Sequence, residues 1–277
     1  MVVLAGDPAP GSDRPASISN RGGGAAANVA AHLARLGTTV ELAGCVGDDP
    51  PAAGLAADLA AAGVRLRLRT VPGVPTATIV SLVEPGGQRS FLADRGANLE
   101  LAAGDVAVPG PGGHLYVSGY TLLHPRPRAA GLQALRDAVA AGCTISVDPA
   151  STGPLALYGV DRWLDDTAGA TLLLPNAAEA RLLTGCGDPS DAARALAARY
   201  PDVAVKLGAD GALWATGDVL VHRPAHPTTV VDTTGAGDAF AAGLLSVWLR
   251  DPDADPAAAL DAGQALAAAV VRRPGAR

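Results

Sequence analysis

Val230-Val231-Asp232-Thr233-Thr234-Gly235-Ala236-Gly237-Asp238-Ala239-Phe240 is the stretch from which the rest of the chain can be read. Two valines close a short apolar run. Two threonines and two glycines then open an apolar segment, Ala239 to Leu249, that reads as a helix. Glycines ahead of a helix let backbone N–H groups crowd toward a ligand, and a helix N-terminus favours negative charge. The pattern is that of a phosphate site built from the amides of Gly235, Ala236 and Gly237. Asp238 cuts across it, because a carboxylate in the first helical turn repels the phosphate it faces. An isolated Asp there is a favourable first-turn acid. After a loop suited to an anion it becomes a candidate base for an attacking hydroxyl.

The same unit resembles the second signature of the ribokinase-like (PfkB) carbohydrate kinase family. In that family the glycines and the helix N-terminus form an anion hole for the transferring phosphoryl group. The final aspartate, here Asp238, deprotonates the sugar hydroxyl. The family's other signature, a di-glycine followed by Ala-Asn at a helix start, is matched by Gly23-Gly24-Ala25-Ala26-Ala27-Asn28. Taken alone, Gly22 to Gly24 is a flexible linker, yet Asn28 sits in the first turn of an otherwise apolar helix where nothing structural demands it. The resemblance brings Gly23 and Gly24 against the sugar and gives Asn28 hydrogen bonds to its hydroxyls.

Bulk properties agree. A chain of 277 residues suits one large α/β domain. Hydrophobic content of 49% with 17% charge marks a globular chain with a substantial core. The net charge of −6 without a basic block argues against nucleic acid, as does an aromatic content of 3%. Cys45, Cys143 and Cys186 lack metal-ligand spacing and read as buried thiols of a reducing compartment. With no basic n-region and no membrane-length apolar run, the expectation is a cytoplasmic protein without membrane association. Lys206 is the only lysine, which excludes a P-loop. Phosphate charge must then be met by backbone amides, arginine or metal. His32, His114, His124, His222 and His226 have no metal-ligand spacing and belong to surface or structure.

A helix is expected from Ala25 to Leu36, a buried strand over Val40 to Val46, and a helix from about Pro51 to Ala62, with Asp48 as its turn and capping residue. Residues 65–98 then change texture. Arg65 to Thr70 alternates basic and apolar residues, and Thr76 to Val83 and Ser90 to Ala93 read as strands about a Pro-Gly-Gly turn. Alternation implies one wet face, hence a small sheet outside the main one. By resemblance this is a β lid over the sugar, joined by residues 14–20, and such lids often pair between subunits, so a homodimer is expected there. Arg95 at the lid's return is a candidate sugar contact, and Asn98 a helix cap.

From residue 114 onward strands and helices alternate, which argues a mostly parallel central sheet with helices on both faces. The expected strands end at Asp148, Asn176 and Gly208, and ligands collect at the carboxyl ends of such strands. Asn176-Ala177-Ala178-Glu179 is a helix-capping pattern. It also matches the family's Asn-x-x-Glu element, in which the Glu, here Glu179, holds Mg²⁺ through water. Lys206-Leu207-Gly208 resembles the nucleotide strand; read alone, Lys206 is a strand residue reaching solvent. The resemblance thus sets ATP against Asn176, Lys206, Gly208, Thr233, Gly235 and Gly237, and sugar against Gly23, Gly24, Asn28, Arg95 and Asp238. Asp232 is its candidate monovalent-cation (K⁺) residue.

The implied function is ATP-dependent phosphorylation of a sugar hydroxyl by one ribokinase-like domain, residues 1–277. A nucleoside kinase of the same family and a sugar-binding homologue with impaired turnover are the alternatives. The last arises because such a domain opens with a main-sheet strand leading to a sugar-binding aspartate. Here Val2-Val3-Leu4 alone precedes Gly6, with Asp7 and Asp13 poor substitutes, so Met1 is expected to lie inside the ancestral domain.

Overall fold

Short apolar runs punctuated by glycine and proline become alternating strands and helices in the computed structural model, which describes residues 1–4, 11, 13, 15–83, 89–251 and 255–276. In chain order these are β1 (Val2–Leu4), β2 (Ala16–Ile18), α1 (Ala25–Arg35), β3 (Glu41–Gly47), α2 (Pro50–Ala61), β4 (Arg65–Val71), β5 (Thr78–Val83), β6 (Arg89–Asp94) and β7 (His114–Ser118). The chain continues with α3 (Tyr120–Leu123), α4 (Pro125–Ala140), β8 (Thr144–Asp148), α5 (Thr152–Tyr158), α6 (Val160–Asp166), β9 (Leu172–Leu173), α7 (Ala177–Thr184) and α8 (Pro189–Ala197). It closes with β10 (Asp202–Lys206), β11 (Ala212–Thr216), β12 (Val219–Arg223), α9 (Ala236–Trp248) and α10 (Pro256–Val270).

The main sheet has the order β12-β11-β10-β9-β8-β7. Its β7–β8, β8–β9 and β9–β10 pairs are parallel, and β11 and β12 add an antiparallel hairpin. Successive strand residues point to opposite faces, so neighbouring side chains enter different cores. Leu173, Val203 and Val205 pack with α3 to α8 on one face. Leu172 and Ala204 pack with α1, α9 and α10 on the other. His114 sits between Thr144 Oγ1 at 2.9 Å and Ser146 Oγ at 2.8 Å, a structural role.

Several expectations need correction. The alternating strand β4 is not part of the small outer sheet; it pairs in parallel with β3, because the α2 crossover returns the chain in the same direction. Its arginines face outward, and Arg69 Nε meets Asp105 Oδ1 at 2.7 Å. The small sheet has the order β2-β1-β5-β6, so Val2–Leu4 belongs to it, as does the 14–20 region through β2. Asp7 lies outside the described residues. Asp49, not Asp48, caps α2: its carboxylate accepts the Ala52 N–H at 3.1 Å and the Thr76 N–H at 2.7 Å. Asn98 lies inside the short 3₁₀ turn Gly96–Glu100 and does not cap it. Val230 and Val231, which close the short apolar run before the signature, are exposed.

Helices α9 and α10 touch backbone to backbone. A Cβ on Gly243 would stand 2.4 Å from Ala262 O, and one on Gly263 would stand 2.9 Å from the Phe240 ring. Gly243→Val must therefore separate the helix that carries the signature loop from its support. A loss of about 1–3 kcal/mol is expected, read as a lower melting temperature. Gly54→Ala is the control: a Cβ there meets nothing within 4 Å. Removing a mid-helix glycine should stabilise by about 0.5–1 kcal/mol.

Candidate active site

The carboxyl ends of β7, β8, β9 and β10 lie side by side, and the chain lays its two glycine-rich signatures across them. At the second, Asp232 is 2% exposed. Its Oδ1 accepts the Thr234 N–H at 2.7 Å and its Oδ2 the Gly275 N–H at 2.8 Å. Gly235 then takes φ 77°, a left-handed value, and begins α9. The Ala236 N–H turns back to Thr233 O at 3.2 Å. The amides of Gly237 and Asp238 are left with no acceptor among the described residues. The sequence reading expects the amides of Gly235, Ala236 and Gly237 to be the free ones here. The Ala236 amide is instead taken by Thr233, because the left-handed turn at Gly235 folds it back, and the free pair is Gly237 and Asp238. A Cβ on Gly235 would collide with Ala276 at 2.5 Å, whereas one on Gly237 would sit 3.7 Å from Lys206 Nζ, an ordinary contact.

The first signature meets it from the other side. Gly24, at φ 102°, starts α1 and delivers Asn28, only 4% exposed, to the same place. Asn28 Nδ2 donates to Asp238 Oδ2 at 2.7 Å across 210 residues of sequence. Asn28 Oδ1 has no donor among the described residues. Burial pushes the Asp238 carboxyl up to about 6, while the Asn28 hydrogen bond works in the opposite direction. A carboxylate with that affinity for protons is suited to a general base.

The third group comes from the strand ends themselves. Asp148 closes β8, and its Oδ2 accepts from Lys206 Nζ at 2.6 Å, both side chains being almost wholly buried. Its Oδ1 accepts the Ala150 N–H at 3.0 Å. Ala150 is held at φ 73°, a non-glycine residue in the left-handed region that costs about 1–2 kcal/mol. Burial opposes the charge on Lys206, but Asp148, Glu179 and Asp238 together hold its pKa above the ordinary lysine value. Asn176 and Glu179 form the expected capping box: Asn176 Oδ1 accepts the Glu179 N–H at 2.9 Å, and Glu179 Oε2 accepts the Asn176 N–H at 2.8 Å. Burial raises the Glu179 carboxyl above the usual glutamate range, with Lys206 pulling it back.

Asn28, Gly237, Asp238, Glu179 and Lys206 are thus brought together as anticipated, and Lys206 points inward rather than to solvent. Gly208 follows β10 at φ 65°. Gly23 flanks α1 with open space where a Cβ would stand. The Arg95 guanidinium lies 4.4 Å above the Tyr120 ring. Two participants were not singled out from the sequence. In the sequence Asp148 reads only as a strand end, although Asp-Pro closing a buried strand is the available signal. Tyr116, in mid-β7, has a buried hydroxyl with no partner among the described residues. Burial and the nearby charges of Asp148, Asp238 and Glu179 hold its pKa far above the usual tyrosine value.

Helices on both faces of a mainly parallel sheet, with free helix-start amides beside a buried carboxylate, are the architecture of a ribokinase-like α/β protein, and comparison with known proteins places it among phosphotransferases. The sequence profile described as pfkB family carbohydrate kinase matches residues 4–277. The ATP-dependent ribose-1-phosphate kinase of Halopiger xanaduensis is 36% identical over 282 residues, covering 100% of this chain and 90% of that protein. Adenosine kinase from Sinorhizobium meliloti has a TM-score of 0.85 at 28% identity, over 96% of this chain and 81% of that one. Fructokinase from Vibrio cholerae O395, solved with fructose, ADP and calcium, has a TM-score of 0.82 at 27% identity, over 99% and 92% of the two chains. The chain belongs to the pfkB family of carbohydrate kinases.

A base must be ionised to act, so kcat/KM for the acceptor should fall as pH drops through about 6, the value to which Asp238 is raised. Asn28→Ala removes the donor that favours the charged form, and the acidic limb should move to higher pH. A pH–rate profile of the two proteins checks this. The variant's KM for the sugar should also rise, by about 1–3 kcal/mol in binding terms.

Proposed function

We propose that this ATP-dependent kinase phosphorylates a hydroxyl of a small sugar, with Asp238 as the general base and the free amides of Gly237 and Asp238 as the anion site. The observation that carries the reading is the Asn28–Asp238 hydrogen bond, which sets a buried, proton-seeking carboxylate beside unused helix N-terminal amides. The acceptor hydroxyl gives its proton to Asp238 as its oxygen bonds to the γ-phosphorus. The bond from that phosphorus to the β–γ bridging oxygen breaks, and ADP leaves with the electron pair. Little covalent chemistry falls to the protein in such a transfer, so positioning and electrostatics dominate. Gly23, Gly24 and Asn28 face the sugar, with Arg95 above Tyr120 at its rim, and Asn176, Lys206, Gly208 and Thr233 face the nucleotide.

Among the described residues no cluster of three or more His, Cys, Asp or Glu side chains could cage a metal. Glu179, a buried carboxylate beside the anion site, fits a Mg²⁺ ion that arrives on the nucleotide phosphates and keeps its waters. When bound, that ion neutralises charge on the transferring group. The oxygens of Asp232 already hold the loop through two amides, so a K⁺ ion there would share them. Ile79 and Phe91, on one face of the small sheet, are 47% and 57% exposed, an apolar surface on which the lid reading rests a homodimer.

The ribose-1-phosphate kinase and fructokinase relatives support a sugar acceptor. Similarity to adenosine kinase supports a nucleoside as the second reading. Against it, the chain is only 3% aromatic, little from which to build a shelf for a base. Among the described residues no helix is long and apolar enough to cross a membrane.

ADP release measured over pentoses, hexoses, sugar phosphates and nucleosides identifies the acceptor. With the best acceptor, Asp238→Asn should lower kcat by roughly 10²–10⁴ with little change in binding; near-normal turnover would remove Asp238 as base. Gly237→Val should fold, since a Cβ there has room, yet lose activity because the side chain fills the phosphate's place.

A further inference from the structure

Lys206 is the only lysine among the 21 lysine and arginine residues of the chain. Every other cationic task goes to arginine, whose planar fork spreads its charge over several atoms. At this one position the side chain is a compact ammonium with three donors. It ends 2.6 Å from Asp148 Oδ2 and 3.7 Å from where a Cβ on Gly237 would stand. The ammonium therefore faces the loop that presents the unused Gly237 and Asp238 amides.

Asp148 is fixed from both sides. One oxygen takes the Ala150 N–H and the other the ammonium, and the chain keeps Ala150 at φ 73° to make the first of these bonds. Gly119 lets the neighbouring strand end approach: its N–H donates to Asp148 O at 2.7 Å, and a Cβ there would stand 2.6 Å from that oxygen. Strained backbone at the edge of a site is retained when the surroundings over-determine it. The unpartnered Tyr116 hydroxyl, buried within electrostatic reach of Asp148, Asp238 and Glu179, leaves a polar atom of the same cluster unmatched by the described residues.

We propose that Lys206 is a catalytic residue that meets a non-bridging oxygen of the transferring phosphoryl group, and that Asp148 is the positioning residue that holds it there. This rests on the kinase reading above. The ammonium complements the amides as charge spreads over the phosphoryl oxygens, while the proton still passes to Asp238 and ADP still leaves. Asp148 touches neither substrate and acts through Lys206.

A double-mutant cycle on the whole chain tests the pair, with ATP and the best acceptor from the ADP-release screen. Lys206→Met should lower kcat by roughly 10²–10³, the cost of one donor at a developing oxyanion. Asp148→Asn should lower it by roughly 10–100-fold, with KM for both substrates within about twofold. In the Lys206→Met background, Asp148→Asn should cost nothing further in kcat. Melting temperatures are read alongside. If Asp148→Asn alone unfolds because it strands a buried ammonium, the double variant, which leaves no unpaired charge, decides by matching Lys206→Met. Multiplying losses, or normal kcat in folded Lys206→Met, would overturn the proposal while leaving the kinase reading intact. Absence of wild-type turnover on every acceptor would overturn both.

Discussion

One ammonium stands against three carboxylates at the end of the main sheet. Lys206 is within electrostatic reach of Asp148, Glu179 and Asp238, and burial strengthens every interaction among them. The set is therefore under-neutralised before any substrate arrives. Asp238 answers part of that imbalance with its high proton affinity, and Glu179 shares the same direction of shift. The cation that accompanies a nucleotide would answer the rest. On the proposed reading, charge balance ties the order of events to the fold: Asp238 acts as base in surroundings that the nucleotide itself completes.

The remaining structure holds these four groups at fixed spacing. Asp148 and Lys206 end strands that are separated in the sheet only by β9, so their spacing is set by sheet geometry. The core residues Leu172, Leu173, Val203 and Val205, all fully buried, keep those strands rigid from both faces. Asp238 and Asn28 come instead from helices, and the glycine contacts between α9 and α10 set how deep the first of these can sit. No single element contains the site.

The sheet, the two signatures and the capping box were legible because each is a local pattern: a periodic apolar run, a glycine pair before a helix, an Asn three residues before a Glu. Partners distant in sequence were not. Alternation in β4 correctly signalled a wet face but could not reveal that β3 was its neighbour, since period-two patterning is the same in any sheet. The cap of α2 fell to Asp49 rather than Asp48 because Thr76, far along the chain, donates to it. Asp148 and Tyr116 are silent in the sequence for the same reason. An Asp before Pro or a Tyr inside a strand acquires meaning only when the sheet sets it beside Lys206 and Asp238.

The segment after α10 has a role beyond packing. Val271 O accepts the N–H groups of Val231 and Asp232, Gly275 N–H reaches Asp232 Oδ2, and Ala276 O meets His32 Nε2 on α1. These few residues splint the signature loop before α9 to α1, so the two halves of the proposed site share one brace. A label or fusion attached beside residue 276 would accordingly sit on the working parts of the enzyme, and its motion would report on both half-sites at once.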